Sequence, residues 1–103
     1  MALPGGLAGG LGNAHPATPE VQAIADKVRS DIEKQSGKNF GKFIVVSFKT
    51  QVVAGTNYFI KIQVGGNEYF HVRIHESLPH DGKKVTLSGF KECKTKEEEI
   101  GYF

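Results

Sequence analysis

Two segments in the middle of the chain leave it little freedom of fold. Residues 57–64 place Tyr58, Ile60, Ile62 and Val64 at every second position, with Phe59, Lys61 and Gln63 between them. Residues 68–76 repeat the pattern, Phe70, Val72 and Ile74 alternating with Tyr69, His71, Arg73 and His75. A side-chain period of two belongs to a β-strand with one apolar face. Gly65-Gly66-Asn67 supplies turn residues between the two runs, so the pair predicts an antiparallel hairpin. Residues 42–54, rich in β-branched and aromatic types, and residues 84–92, with Val85 and Leu87, predict two further strands. Gly89 is a candidate bulge within the last of them.

An apolar sheet face needs a cover, and the preceding residues provide one. Thr18 is a capping residue, Pro19 suits the first helical position, and Glu20 is favoured near the positive end of a helix dipole. Val21, Ile24, Ala25, Val28 and Ile32 then recur at three- and four-residue spacing, with Asp26, Lys27, Arg29, Asp31 and Glu33 around the rest of the circumference. Gly37 is a plausible stop. A helix of roughly 17 residues is about 26 Å long, close to the roughly 30 Å of a nine-residue strand. The predicted class is α+β: one N-terminal helix packed across a four- to five-stranded antiparallel sheet in meander order. The other sheet face, bearing lysine, arginine and histidine, is expected to look toward water.

At 103 residues the chain has room for a single core. Residues 1–15 read as a glycine-rich N-terminal arm and 16–103 as the domain. Gly-Gly-Leu occurs in the arm at 5–7 and again at 9–11, a composition that does not hold one backbone conformation alone. The arm is either a solvated tail or a flexible segment that presents Leu7 and Leu11 to a partner.

Several function classes fall away. The net charge of +2 is spread along the chain and no basic run exceeds Lys83-Lys84, so no nucleic-acid partner is expected. The longest apolar run, Phe43 to Val46, is far short of a membrane span. The first residues lack the basic and continuous apolar regions of a secretory signal. Cys93 is the sole cysteine, which excludes an internal disulfide and favours a reducing, cytoplasmic setting. His71 and His75 share a strand face but stand about 13 Å apart at ~3.3 Å per residue, too far to hold one metal ion. No motif supports a Cys–His nucleophilic pair with Cys93, and Glu97-Glu98-Glu99 reads as a solvated segment. Neither an enzyme nor a cofactor is expected.

A meander sends its connections alternately to the two ends of the sheet. The Gly55 connection and the Ser77–Lys83 loop are therefore expected at one end, and the Gly65 turn and the Gly37–Gly41 link at the other. A helix running back from that link carries the N-terminal arm to the first end. Hairpin tips are normally polar, yet Gln51-Val52-Val53-Ala54-Gly55 and Ser77-Leu78-Pro79-His80 bring apolar residues there. The valines are either the buried ends of their strands or part of an exposed ridge, and an exposed contiguous apolar surface marks a binding site.

QVVAGTNYFIKIQVG (51–65), PATPEVQAIADKVRSDIE (16–33), SLPH (77–80) and the terminal Tyr102-Phe103 together resemble the stefins, the single-domain intracellular cystatins, from about Pro16 to Phe103. Secreted cystatins carry two disulfides and typically a Pro-Trp in the second loop, whereas this chain has one cysteine, no tryptophan and Leu78-Pro79. The helix lacks the plant-cystatin motif. The resemblance implies a cystatin-like fold and reversible, tight inhibition of papain-like cysteine proteases of the cathepsin type. It implies a contact edge of an arm glycine, Gln51, Val52, Val53, Ala54 and Gly55, and Leu78, Pro79 and His80. Pro4-Gly5-Gly6-Leu7 matches the family's arm motif, but counting back from Pro16 lands on Gly9-Gly10-Leu11. Gly9, with Gly10, is preferred because spacing from the helix sets the arm's reach, and Gly5 stays an alternative. The rival reading is a cystatin-fold interaction module without protease inhibition. A monomer is the expected active form, and a valine-rich hairpin that opens would allow a domain-swapped dimer.

Overall fold

The computed structural model describes residues 11–103, apart from the side chains of Cys93 and Lys94. The elements, in chain order, are β1 (His15–Pro16), α1 (Pro19–Ser36), β2 (Ile44–Val53), β3 (Gly55–Gln63), β4 (Tyr69–Glu76) and β5 (Val85–Lys94). They form one five-stranded antiparallel sheet in the order β1-β2-β3-β4-β5, with the helix across one face. The α+β architecture expected from the alternation is the one observed.

The helix begins and ends where its residues dictate. Thr18 Oγ1 accepts from the Val21 N–H at 3.2 Å, and Pro19 occupies the first turn, where its missing N–H costs nothing. At the other end Gly37 takes a left-handed φ of 74° and its N–H reaches Glu33 O at 2.9 Å. Val21, Ile24, Ala25, Val28 and Ile32 are all buried. They pack on Val45, Phe48, Ile60, Ile62, Val64, Phe70, Val72 and Ile74, with Phe40 and Phe43 closing the end of the core. Phe40 lies edge-on to Phe70 at 5.3 Å, and Phe70 stacks on Phe90 at 5.7 Å.

Polar side chains on the helix fix the sheet beside it. Gln22 donates to Phe43 O at 3.0 Å and accepts from Val45 N–H at 2.9 Å, so one amide satisfies the backbone where β2 begins. Arg29 and Glu33 hold the backbone of Phe40 in the same manner. Lys38, just past the helix, lies 3.7 Å from Glu68 at the β3–β4 turn. That contact places the helix-to-strand link with the Gly65 turn, as the meander requires.

The bulge expected near Gly89 is present: Arg73 pairs with Gly89 and Ile74 with Leu87, leaving Ser88 as the extra residue. Two further irregularities fall in β2 between Val45 and Ser47 and on the β4–β5 ladder between Tyr69 and His71.

One expectation is corrected. The sheet face opposite the helix does not look toward water. Phe59, Lys61, Tyr69 and His71 are buried there, beneath a C-terminal strap formed by residues 95–103. Ile100 is buried against this face, and Phe59 meets the rings of Tyr102 at 5.6 Å and Phe103 at 5.7 Å. The Arg73 guanidinium lies over Phe59 and Tyr102 and donates to Phe103 O at 2.7 Å. Lys61 Nζ donates to Lys96 O at 2.6 Å, and Lys49 pairs with Glu99 at 3.0 Å. The basic residues sit along the face as the period requires, but their apolar stems and neighbouring aromatics pack under the strap instead of being solvated.

Candidate functional site

The β2–β3 connection is as tight as a hairpin can be. Val53 pairs with Gly55 and Val52 with Thr56, so Ala54 alone forms the tip. Gly55 has φ of 100°, a left-handed conformation, and a side chain there would run into the Glu76 carbonyl and approach Ser77 Cα to 3.2 Å. Only glycine fits both demands. Beneath the tip, Gln51 and Asn57 face each other across the strands, both buried, with Asn57 Nδ2 donating to Gln51 Oε1 at 2.9 Å. Above this polar base Val52 is 79% exposed and Val53 41% exposed. The valines are thus not the buried ends of their strands but a bare apolar crest.

The second loop stands beside the first. Thr56 pairs with Glu76, and the approach of Gly55 to Glu76 and Ser77 brings the start of Ser77–Lys84 against the tip. The loop is closed by its own hydrogen bonds: Ser77 N–H to Lys84 O at 2.9 Å, Lys84 N–H to Ser77 Oγ at 2.7 Å, and Lys83 N–H to Leu78 O at 3.2 Å. Pro79–Asp81 form a single 3-10 turn ended by Gly82 at φ 88°. Leu78 is half-buried, and Pro79 and His80 are exposed, His80 lying 3.6 Å from Asp81.

The N-terminal segment comes to the same end. His15 pairs with Phe48, their rings 5.6 Å apart, and Ala17 N–H donates to Val46 O at 3.3 Å. Followed backwards, the chain runs alongside β2 toward the hairpin, and Gly12 N–H reaches Thr50 O at 3.1 Å. Leu11, half-buried, follows it. Gly5, Leu7, Gly9 and Gly10 lie outside the described residues.

Of the residues singled out from sequence, Val52, Val53, Ala54, Leu78, Pro79 and His80 meet at one edge, with Gln51 and Gly55 buried as its support. Sequence reasoning missed His75. Its Nε2 lies 2.9 Å from Ala54 O, a bond that depends on the register of β4 against β3 and has no local signature. It also missed Tyr58, whose hydroxyl stands 3.5 Å from Glu76 Oε1 behind the hairpin. Burial, and then the neighbouring Glu76 carboxylate, push the Tyr58 pKa above its ordinary value. Among the described residues no three of His, Cys, Asp or Glu gather as a metal site, and no helix is long and apolar enough to cross a membrane.

An exposed apolar crest, a loop closed by its own hydrogen bonds and the segment from Leu11 onward thus lie along one edge. Comparison with known proteins supplies the family. A family model described as "Cystatin domain" matches residues 9–98. The chain is 50% identical to Cystatin-B of Homo sapiens over 97 residues, covering 94% of this chain and 99% of that protein. It is 48% identical over 97 residues to two proteins of Sus scrofa, Leukocyte cysteine proteinase inhibitor 1 and Cystatin-A1, covering 94% of each chain. With its helix-on-sheet fold and a match across most of its length, this chain belongs to the cystatin family.

Proposed function

We propose that the chain is a reversible, tight-binding inhibitor of papain-like cysteine proteases, cathepsins among them, and is not itself an enzyme. Its relatives' names support this reading, one of them being a cysteine proteinase inhibitor. The observation that carries it is the exposure of Val52 and Val53 at a tip backed by a buried Gln51–Asn57 bond and flanked by the Leu78-Pro79 loop.

The target is a groove between two lobes with a thiolate at its centre. A wedge blocks such a groove without reacting when it offers no peptide bond in line for attack. Val52 and Val53 enter the primed side, on the turn that Gly55 permits. Leu78 and Pro79 buttress that side, with His80 beside them. Residues 1–15 act as an arm along the non-primed side, with Gly9 or Gly10 passing the thiol. The start of the family match at residue 9 supports Gly9 over Gly5. A rigid edge of this kind lowers the ordering cost of association, and the interface would bury about 1,600 Å² in all.

The active form is a monomer working in the cytoplasm, a setting the sole cysteine favours. Opening of the 51–57 hairpin would exchange the helix and β2 between chains and hide the crest, giving an inactive dimer. Titration of papain with size-exclusion-purified monomer tests the proposal. Stoichiometric loss of activity is expected from the monomer and none from a dimer fraction; full papain activity at excess monomer rejects it.

A further inference from the structure

On the sheet face away from the helix, a cleft of about 330 Å³ opens between the N-terminal segment and the C-terminal strap. Its walls include Asn13, Ser47, Lys49, Lys61 and Glu99. Ser47 pairs with Lys61 across β2 and β3, and Lys49 with Phe59. The two lysines are therefore diagonal neighbours on one face, with backbones about 7–8 Å apart.

The charges in this cleft do not balance. Lys61 is 8% exposed, and among the described residues its ammonium has one hydrogen-bond partner, the neutral carbonyl of Lys96. Lys49, its side chain 11% exposed, is paired with Glu99, whose own side chain is 85% exposed. Two largely buried lysine side chains thus line the cleft with one described carboxylate, Glu99, which is held at the rim and paired with Lys49 alone. A carbonyl dipole offsets only part of the desolvation of a buried cation, and a counter-ion does so far better. The Ser47 hydroxyl and the Asn13 amide also line the cleft without a hydrogen-bond partner among the described residues.

We propose that this cleft binds a phosphate group, carried by inorganic phosphate or a small phosphomonoester. Lys49 and Lys61 supply the charge, and Ser47 and Asn13 supply neutral donors. A phosphomonoester carries about −1.5 to −2 charges at neutral pH, which matches two ammonium groups once Glu99 swings into solvent. Glu99 is the built-in competitor for the site. The volume is at the lower end of the roughly 300–1,000 Å³ typical of small-molecule sites, enough for phosphate with a short substituent. The site lies on the sheet face beneath the C-terminal strap and shares Asn13 with the N-terminal arm.

Amide NMR titration with sodium phosphate, against sodium chloride at matched ionic strength, tests the assignment. Saturable shifts confined to residues 12–14, Ser47, Lys49, Lys61 and Glu99 are expected, with glycerophosphate behaving alike. Glu99→Gln removes the competitor and is expected to tighten binding about threefold. Lys61→Gln is expected to weaken it at least about tenfold; Lys49→Gln serves the same purpose if the first variant does not fold. Non-saturable shifts, shifts scattered over exposed lysines such as Lys83 and Lys84, or unchanged binding in the lysine variant would overturn the proposal. So would shifts seen only with phosphatidic acid vesicles, which would assign the site to a membrane headgroup.

Discussion

The imidazole Nε2 of His75 stands 2.9 Å from the carbonyl oxygen of Ala54. A carbonyl only accepts, so Nε2 carries the hydrogen, and the bond ties the tip of the first hairpin to the end of β4, two residues before the second loop begins. Replacing His75 by Leu removes the donor and should destabilise the chain by about 1 kcal/mol, with faster amide hydrogen exchange at residues 52–56. His75→Gln retains a side-chain N–H and should restore much of the protection. Equal exchange in the Leu variant and the parent would show that the bond contributes nothing to holding the tip.

Gly55 is held by conformation and by space together. With φ at 100° and the Glu76 carbonyl in the path of any Cβ, Gly55→Ala should cost more than about 2 kcal/mol of stability. Urea unfolding of the two chains side by side measures this; coincident midpoints would mean that the backbone relaxes freely at this position.

Val53 separates folding from binding. At 41% exposure its replacement by Asp should leave stability within about 0.5 kcal/mol. Inhibition of papain should fall by more than about 2 kcal/mol, as for a strong interface anchor. A Val53→Asp chain that inhibits as well as the parent contradicts the proposed placement of the crest in the groove.

The arm is tested by its removal. A chain lacking residues 1–10 keeps the Gly12–Thr50 hydrogen bond and the β1 pairing, so it should fold as the parent does. Its complex with a papain-like protease is expected to dissociate faster, with association little changed. An unaltered dissociation rate would reduce the arm to a tail.

Tyr58 gives an alkaline signature. Its folded pKa is raised above the ordinary 10.0 by burial and by Glu76. Above that value the unfolded chain releases the phenolic proton first, so it binds fewer protons than the folded chain and stability falls as pH rises. The contribution is whole below pH 10.0 and is lost on the way to the folded value. Tyr58→Phe should flatten this part of the alkaline unfolding curve, as circular dichroism at fixed urea would reveal; an unchanged slope would place the titration elsewhere.

Much of the fold was legible in local pattern. The helix stripe from Val21 to Ile32 and the alternation from Ile60 to Ile74 each bury the residues their periods select, with Tyr58 half-buried at the hairpin end. Turn chemistry placed the Gly65 hairpin, and meander order placed the Gly55 tip and the Leu78-Pro79 loop at one end. The C-terminal strap was not legible. Lys61, His71 and Arg73 make the face beneath it look solvated, and residues 95–103 have no regular structure and so no period to read. The apolar Ile100, Tyr102 and Phe103 were the available signal, but nothing local says which surface they cover.

The amino-acid sequence alone determined the helix, the four long strands, their order and the glycine at the tight tip, because periodicity and backbone preference are properties of neighbouring residues. Tertiary structure decided that Val52 and Val53 stand bare over a buried Gln51–Asn57 bond, that His75 clasps Ala54, and that Lys49 and Lys61 share a cleft. Those outcomes depend on strand register and on which distant segment covers which face. Both are long-range choices, set by how the whole chain packs.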